Sequence, residues 1–235
     1  LVPELVNKPD FARTVERFEA WWKGEVLDRP PVWLWAKPTR PYRGPTVSHR
    51  TERERWLDVE FQMASAIACI EQQDFVGDSF PFLWPNLGPE ITATLFGCEL
   101  EFSATTSWSH PVVDSVEDWK RIIAMEPDFN NPYWQAMERM TDHAIAACQN
   151  RYIVGLTDLH GNYDILAGLR DPQKLCMDLI DCPELLRQAG HHVAEAFVAA
   201  FNRGYARVSS AGFGSTCWTQ AYHAGPYYVP SCDFW

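Results

Sequence analysis

The sequence predicts an α/β fold with a parallel sheet, open or closed into a barrel, and three observations carry that prediction. Short apolar runs end in polar residues, as in Val32-Trp33-Leu34-Trp35, Phe75-Val76-Gly77-Asp78 and Tyr152-Ile153-Val154. These runs alternate with helical patterns, which is the signature of strand–helix units. The chain has 235 residues and is 46% hydrophobic, enough to bury a full core in one large domain. The clearest unit is 151–172: a β-branched run breaks at Gly155, and Asp158, His160, Asn162 and Asp164 follow before an apolar helical start at Ile165-Leu166-Ala167. Ligands of parallel α/β folds gather at the carboxyl ends of strands, so this polar cluster is where chemistry is expected.

Taken in order, Phe11, Val15, Phe18 and Trp22 fall at helical spacing and predict a helix over 11–23, with Asp10 as its cap and Gly24 just past its end. Asp28-Arg29-Pro30-Pro31 turns the chain into a strand over 32–35, and a loop over 37–45 carries Arg40 and Arg43. A helix over 50–73 precedes a strand over 75–78 that ends in a carboxylate. The stretch 80–88 is Pro- and aromatic-rich, and 91–113 reads as an excursion with β-like patches at 100–102 and 111–113. Helices follow over 116–123 and 133–149, the second with Pro132 in its first turn. After the central unit come helices over 172–180 and 183–203, a stop at Gly204, a further strand over 205–209 and a flexible joint over 211–215. The remainder, 216–233, is aromatic and polar and holds His223, Cys232 and Asp233.

The net charge of −11 argues against nucleic-acid or anionic-membrane partners, which need basic patches. No apolar run is long enough to span a bilayer. The seven cysteines form no C-x-x-C pair, and reduced cytoplasmic thiols are the simplest reading. There is no glycine fingerprint after a strand, no P-loop and no HExxH, so a dinucleotide fold is disfavoured. Eleven tryptophans point to aromatic pocket walls as well as core.

The candidate catalytic residues are Asp78, Asp158 and His160. Asp78 ends a strand, where a carboxylate either accepts substrate N–H groups and steadies a developing cation, or caps a turn. Asp158, His160 and Asn162 alternate, so an extended backbone puts them on one face, either as a proton-transfer site or as a bonded loop. Arg40 and Arg43 are candidates to fork onto ligand carboxylates, or are solvated loop residues. If all strand ends share one rim, Asp78, Asp158 and His160 face one cavity walled by Trp33 or Trp35, Phe80 and Trp84. At least one of the carboxylates grouped there is expected to titrate above its free value.

Arg17-Phe18, Gly24-Glu25 and Asp28-Arg29-Pro30-Pro31-Val32-Trp33 together resemble the opening of the uroporphyrinogen decarboxylase superfamily, whose pattern there is RF…RGE-x-x-DR-x-PVW. Residues 74–80 resemble that family's SDIL-like strand, and 151–168 resembles a later strand entering a helix. The resemblance implies a (β/α) TIM-type barrel. The family's decarboxylases carry Arg-Gln-Ala-Gly-Arg-Tyr after strand one, where this chain reads 35–43 with Arg40 and Arg43 as partial replacements. A small-Pro-Trp-Thr motif is here Asp158-Leu159-His160-Gly161-Asn162.

The resemblance implies an enzyme that removes carboxyl groups from a tetrapyrrole or similar acidic ligand without a cofactor. Asp78 then holds pyrrole-type N–H groups. The ligand-binding set is Arg40, Arg43, Trp35, Phe80, Trp84 and Asn162, and no metal site is expected. A second reading is a zinc-dependent methyltransferase that moves methyl groups between a corrinoid and a thiol. A third is a tetrapyrrole-binding protein without turnover. Four or five barrel-strand signals against the eight of a closed barrel predict an incomplete, N-terminal part of the barrel. Such a part is completed by the rest of its own chain or by a second copy.

Overall fold

Four side chains punctuate the helices. Thr51, Asp58, Asn131 and Asp171 each stand just before a helix and accept hydrogen bonds from its otherwise free N–H groups. Asp10, the cap expected from sequence, turns instead to Lys8, at 3.1 Å. The structure, a computed structural model, describes residues 3–34 and 36–230.

In chain order the elements are α1 (Phe11–Trp22), β1 (Trp33–Leu34), α2 (Glu52–Leu57), α3 (Val59–Glu71), β2 (Val76–Gly77) and β3 (Phe82–Leu83). A 3-10 stretch, Pro89–Phe96, leads to β4 (Leu100–Phe102) and β5 (Ser107–Ser109). Then come α4 (Asp118–Ala124), α5 (Pro132–Ala147), β6 (Ile153–Val154), α6 (Asn162–Arg170), α7 (Pro172–Asp181) and α8 (Pro183–Ser210). The fold mixes helix and sheet, with 48% of the described residues helical. Among the described residues no helix is long and apolar enough to cross a membrane.

The described strands pair two by two. β3 and β6 are parallel, with Phe82 opposite Ile153, and β4–β5 is an antiparallel hairpin. No closed barrel forms among the described residues. β1 and β2 were expected to run parallel, and the structure corrects this: they are antiparallel, with Trp33 opposite Gly77 and Leu34 opposite Val76. The carboxyl end of β2 therefore lies at the amino end of β1. The parallel partner of the central strand is β3, inside the stretch read from sequence only as Pro- and aromatic-rich.

Two further corrections have local causes. The single helix expected over 50–73 breaks at Asp58, which is extended (φ −77°, ψ 92°) and caps α3. The strand expected over 205–209 is instead the last part of α8, which runs unbroken through Gly204. Phe201, Tyr205 and Val208 keep helical spacing, and the Phe201 and Tyr205 rings stack at 5.8 Å. Gly204 sits in the helix against Leu156, where a β-carbon would make an ordinary contact with Leu156 Cδ2 at 3.4 Å. The second β-like patch lies at 107–109 rather than 111–113.

The main core is built by α5, α6, α8 and the 3-10 stretch around Trp119, Tyr133, Trp134 and Tyr152, all essentially without solvent contact. A second, smaller cluster joins Phe11, Val15 and Phe18 of α1 to Phe80, Ile153 and Tyr222. The Phe11 ring lies 5.3 Å from both Phe80 and Tyr222.

Candidate functional site

Asp78 follows β2 and is fully buried. Its carboxylate accepts from Arg17 Nη1 at 2.8 Å, from the Val32 N–H at 2.8 Å, and from Arg29 Nη1 in a short contact. Arg17 also forks onto Asp28 at 2.9 Å through two nitrogens. Burial pushes the Asp78 carboxyl up, but Arg29, the Val32 N–H and Arg17 together outweigh it and hold it below the usual range. The upward shift expected of grouped carboxylates is thus not what Asp78 shows. Antiparallel pairing puts Asp78 beside Val32, at the end of β1 away from Leu34.

A cleft of about 250 Å³ opens near the other end of β1 and the carboxyl end of β3. Phe80, Phe82, Leu83, Trp84 and Leu34 supply apolar walls, and Gln73, Asp74 and Gln220 supply polar ones. Phe80 and Trp84 thus line one cleft. Trp35, named with them, lies outside the described residues, as do Cys232 and Asp233. Neither Asp78, Asp158 nor His160 lines this cleft.

Arg40 and Arg43 line a neighbouring groove with Pro41, Ala68 and Glu71. Arg40 bonds Asp74 at 2.5 Å and the Glu71 carbonyl at 2.9 Å. Thr39 bonds Asp74 at 2.7 Å, and that hydroxyl with the Arg40 charge holds Asp74 below the usual carboxylate range. One Arg40–Asp74 pair therefore links the groove to the cleft. Arg43 is exposed and makes no hydrogen bond or ion pair among the described residues, so its guanidinium is open to an anion.

The segment leaving β6 is held from three sides. The Leu156 N–H bonds Thr216 O at 2.9 Å, the Thr92 hydroxyl bonds His160 O at 3.1 Å, and the Tyr228 hydroxyl bonds Thr157 O at 3.0 Å. Burial, and then the neighbouring Asp158 charge, push the Tyr228 hydroxyl well above the ordinary tyrosine range. His160 Nδ1 lies 3.7 Å from Asp164, four residues on, and the carboxylate is buried at the start of α6. An imidazole beside a carboxylate is a chemically competent proton carrier. Asn162 is exposed, with φ +49°, and begins α6. Gly155 leaves room for this packing: a β-carbon there meets Thr216 Cγ2 at 3.1 Å and Trp84 Cβ at 3.3 Å. Gly155→Ala is expected to destabilise by about 1–3 kcal/mol through overpacking, measured by urea denaturation. Unchanged stability would show that Trp84 yields freely.

The sequence did not single out Gln73, Asp74 or Gln220 as site residues. Gln220 is about 140 positions from β3, and nothing local marks it. Asp74 was within reach, since a carboxylate just before a strand and an arginine just after the preceding one can meet when the strands pair. Among the described residues no three His, Cys, Asp or Glu side chains gather as metal ligands. Comparison with protein-family models, with curated proteins and with solved structures finds no match.

Proposed function

We propose that this chain is part of a (β/α)-barrel enzyme of the uroporphyrinogen decarboxylase type, acting on a tetrapyrrole or similar acidic ring ligand and removing carboxyl groups without a cofactor. One observation carries the reading. The resemblance was read from two separate stretches, 17–33 and 74–80, and in three dimensions they form one device: Arg17, Arg29 and Val32 all converge on Asp78, and Asp28 steadies Arg17. In this reading Asp78 anchors the strand-bearing layer. The parallel pair β3–β6 is the start of the barrel sheet.

The ligand's apolar body lies against Trp84 and Phe80, and its acid groups reach Arg43 and the Arg40 edge. The carboxyl group leaves as carbon dioxide, and its bonding electron pair stays on the carbon and takes up a proton. The proton comes from solvent water, since neither His160 nor Asp158 lines the cleft.

Release of carbon dioxide from an acetate-bearing porphyrinogen, followed beside quenching of tryptophan fluorescence by the ligand, tests the proposal. Arg43→Ala is expected to weaken binding roughly 10-fold or more, the loss of one charge-assisted hydrogen bond. No binding of any acidic tetrapyrrole by the whole protein would overturn the reading. Binding without carbon dioxide release would leave a carrier, not an enzyme.

A further inference from the structure

Residues 41–48 form a strap along α3. The strap contains no helix or strand, makes no hydrogen bond among the described residues, and is mostly exposed, Tyr42 and Val47 included. It is tied at its ends. At one end the Thr39 and Arg40 N–H groups bond Gln72 O, just past α3, at 3.1 and 3.3 Å, and the Arg40 side chain bonds Asp74 and Glu71 O. At the other end His49 Nε2 lies 3.0 Å from Asp58 Oδ2, on the carboxylate that caps the start of α3. Asp58 and Gln72 are roughly 21 Å apart along a helix that rises about 1.5 Å per residue. The chain from Arg40 to His49 reaches roughly 30 Å when fully extended, so the strap has limited slack. It also builds a wall. The groove of about 290 Å³ has Arg40, Pro41 and Arg43 of the strap on one side and Ala68 and Glu71 of α3 on the other.

The two ties differ in chemistry. The guanidinium of Arg40 keeps its charge throughout the range in which proteins are folded. An imidazole ordinarily changes charge near pH 6.5, or about there. The His49 side chain is only 9% exposed, and its ring stands 4.6 Å from that of Phe61. Among the described residues Asp58 is the charged side chain that pairs with it. Glu54 of α2 takes the N–H of Arg50, one residue on, at 2.9 Å, and the Arg50 side chain is exposed. His49, ahead of the Phe61 N–H, holds the Asp58 carboxyl below the usual range. Without the His49 contact the strap is tied at this end to α2 alone.

We propose that His49 is a pH-sensitive fastener: its protonated ring pins the strap to α3 through Asp58, and loss of the proton slackens the strap and the groove wall that carries Arg43. Two groups set the window. The folded Asp58 carboxyl lies below its unfolded value of about 3.9, so its part is complete above that pH and fades as pH falls through the folded value. The imidazolium loses its charge as pH rises past about 6.5. The strap is therefore tightest between roughly pH 4 and pH 6.5. In the function proposed above, where Arg43 meets the acid groups of the ligand, mildly acidic pH then favours binding; that consequence rests on the proposed function, and the fastener itself does not.

Limited trypsin digestion of the whole protein reads the strap without any ligand. Trypsin does not cut before proline, so Lys37-Pro38 and Arg40-Pro41 resist, and Arg43-Gly44 is the cleavable bond of the strap. Lys23-Gly24, outside the strap, is the internal control. The ratio of the two cuts, followed by mass spectrometry, cancels the pH dependence of trypsin itself. From about pH 5.5 to about pH 8 the ratio of strap to control cutting is expected to rise about 5-fold, the scale by which a charge-assisted hydrogen bond exceeds a neutral one. His49→Gln keeps an N–H donor without a titrating charge, and Asp58→Asn keeps a helix cap without a carboxylate. Both are expected to show the high ratio at both pH values. A ratio that does not change with pH in the normal protein overturns the proposal, as does an equal rise in His49→Gln. If the ratio rises as expected while acidic tetrapyrroles do not bind, the fastener stands and the ligand assignment falls. If tetrapyrroles are bound and converted but the ratio is flat, the fastener falls alone.

Discussion

Asp78→Ala is expected to destabilise the protein by about 3 kcal/mol, and by more if α1 detaches altogether. The change leaves the guanidinium groups of Arg17 and Arg29 without the acceptor they share, and leaves the Val32 N–H without a partner. The figure is the low end for breaking a buried pair, since Arg29 is 38% exposed and regains water, while Arg17 is only 13% exposed. Asp78→Asn keeps an acceptor and should cost less. The pH dependence follows from the direction of the shift. The folded carboxyl lies below its unfolded value of about 3.9, so its stabilisation is complete above that pH and fades as pH falls through the folded value. Urea denaturation from pH 6 downward should show the normal protein losing stability more steeply than Asp78→Asn. Parallel curves would remove Asp78 from the account of stability.

A second large effect is expected deep in the other layer. Asp178 accepts from Arg170 at 2.8 and 3.2 Å and from the indole N–H of Trp119 at 2.8 Å. Side-chain exposure is only 9% for Arg170 and 3% for Asp178. Asp178→Ala therefore strands a buried charge and a buried donor, and about 3–5 kcal/mol of stability should be lost. The Val113 and Asp114 carbonyls still hold Arg170, which limits the loss. The combined change Asp178→Leu with Arg170→Met should be milder than Asp178→Ala alone, because no unpaired charge remains. A double variant as unstable as the sum of its parts would mean that the two residues act independently.

Helices were well legible in this sequence, and sheet pairing was not. Phe11, Val15 and Phe18 announced the buried face of α1, and Asn131-Pro132 announced the start of α5, because spacing and caps are local properties. Strand direction depends on which run a strand meets, and runs as short as Trp33–Leu34 and Val76–Gly77 carry no pattern that distinguishes parallel from antiparallel. That one reversal moved Asp78 away from the end of β1 where Leu34 lines the cleft. It parted Asp78 from Phe80 and Trp84, with which the sequence had grouped it. Gln220 was illegible for a different reason: its place is set by a loop folding back onto Cys217 and by a backbone angle no neighbouring residue advertises.

The small cluster around α1 also has a consequence for how the chain is made. The indole N–H of Trp22 bonds the carbonyl of Tyr222, 200 residues later, and Phe11 packs on the same tyrosine. A ribosome adding about 5–20 residues per second needs roughly 10–40 s to travel that far. Through that interval α1, with Phe11, Val15 and Phe18 along one face, has emerged without the Tyr222 part of the surface it will bury. A twelve-residue helix is marginal alone in water, so this segment waits unfolded and sticky while the later helices assemble. Although α1 emerges before the other helices described here, it is among the last of them to be secured, and its apolar stripe is a natural handle for a chaperone during synthesis.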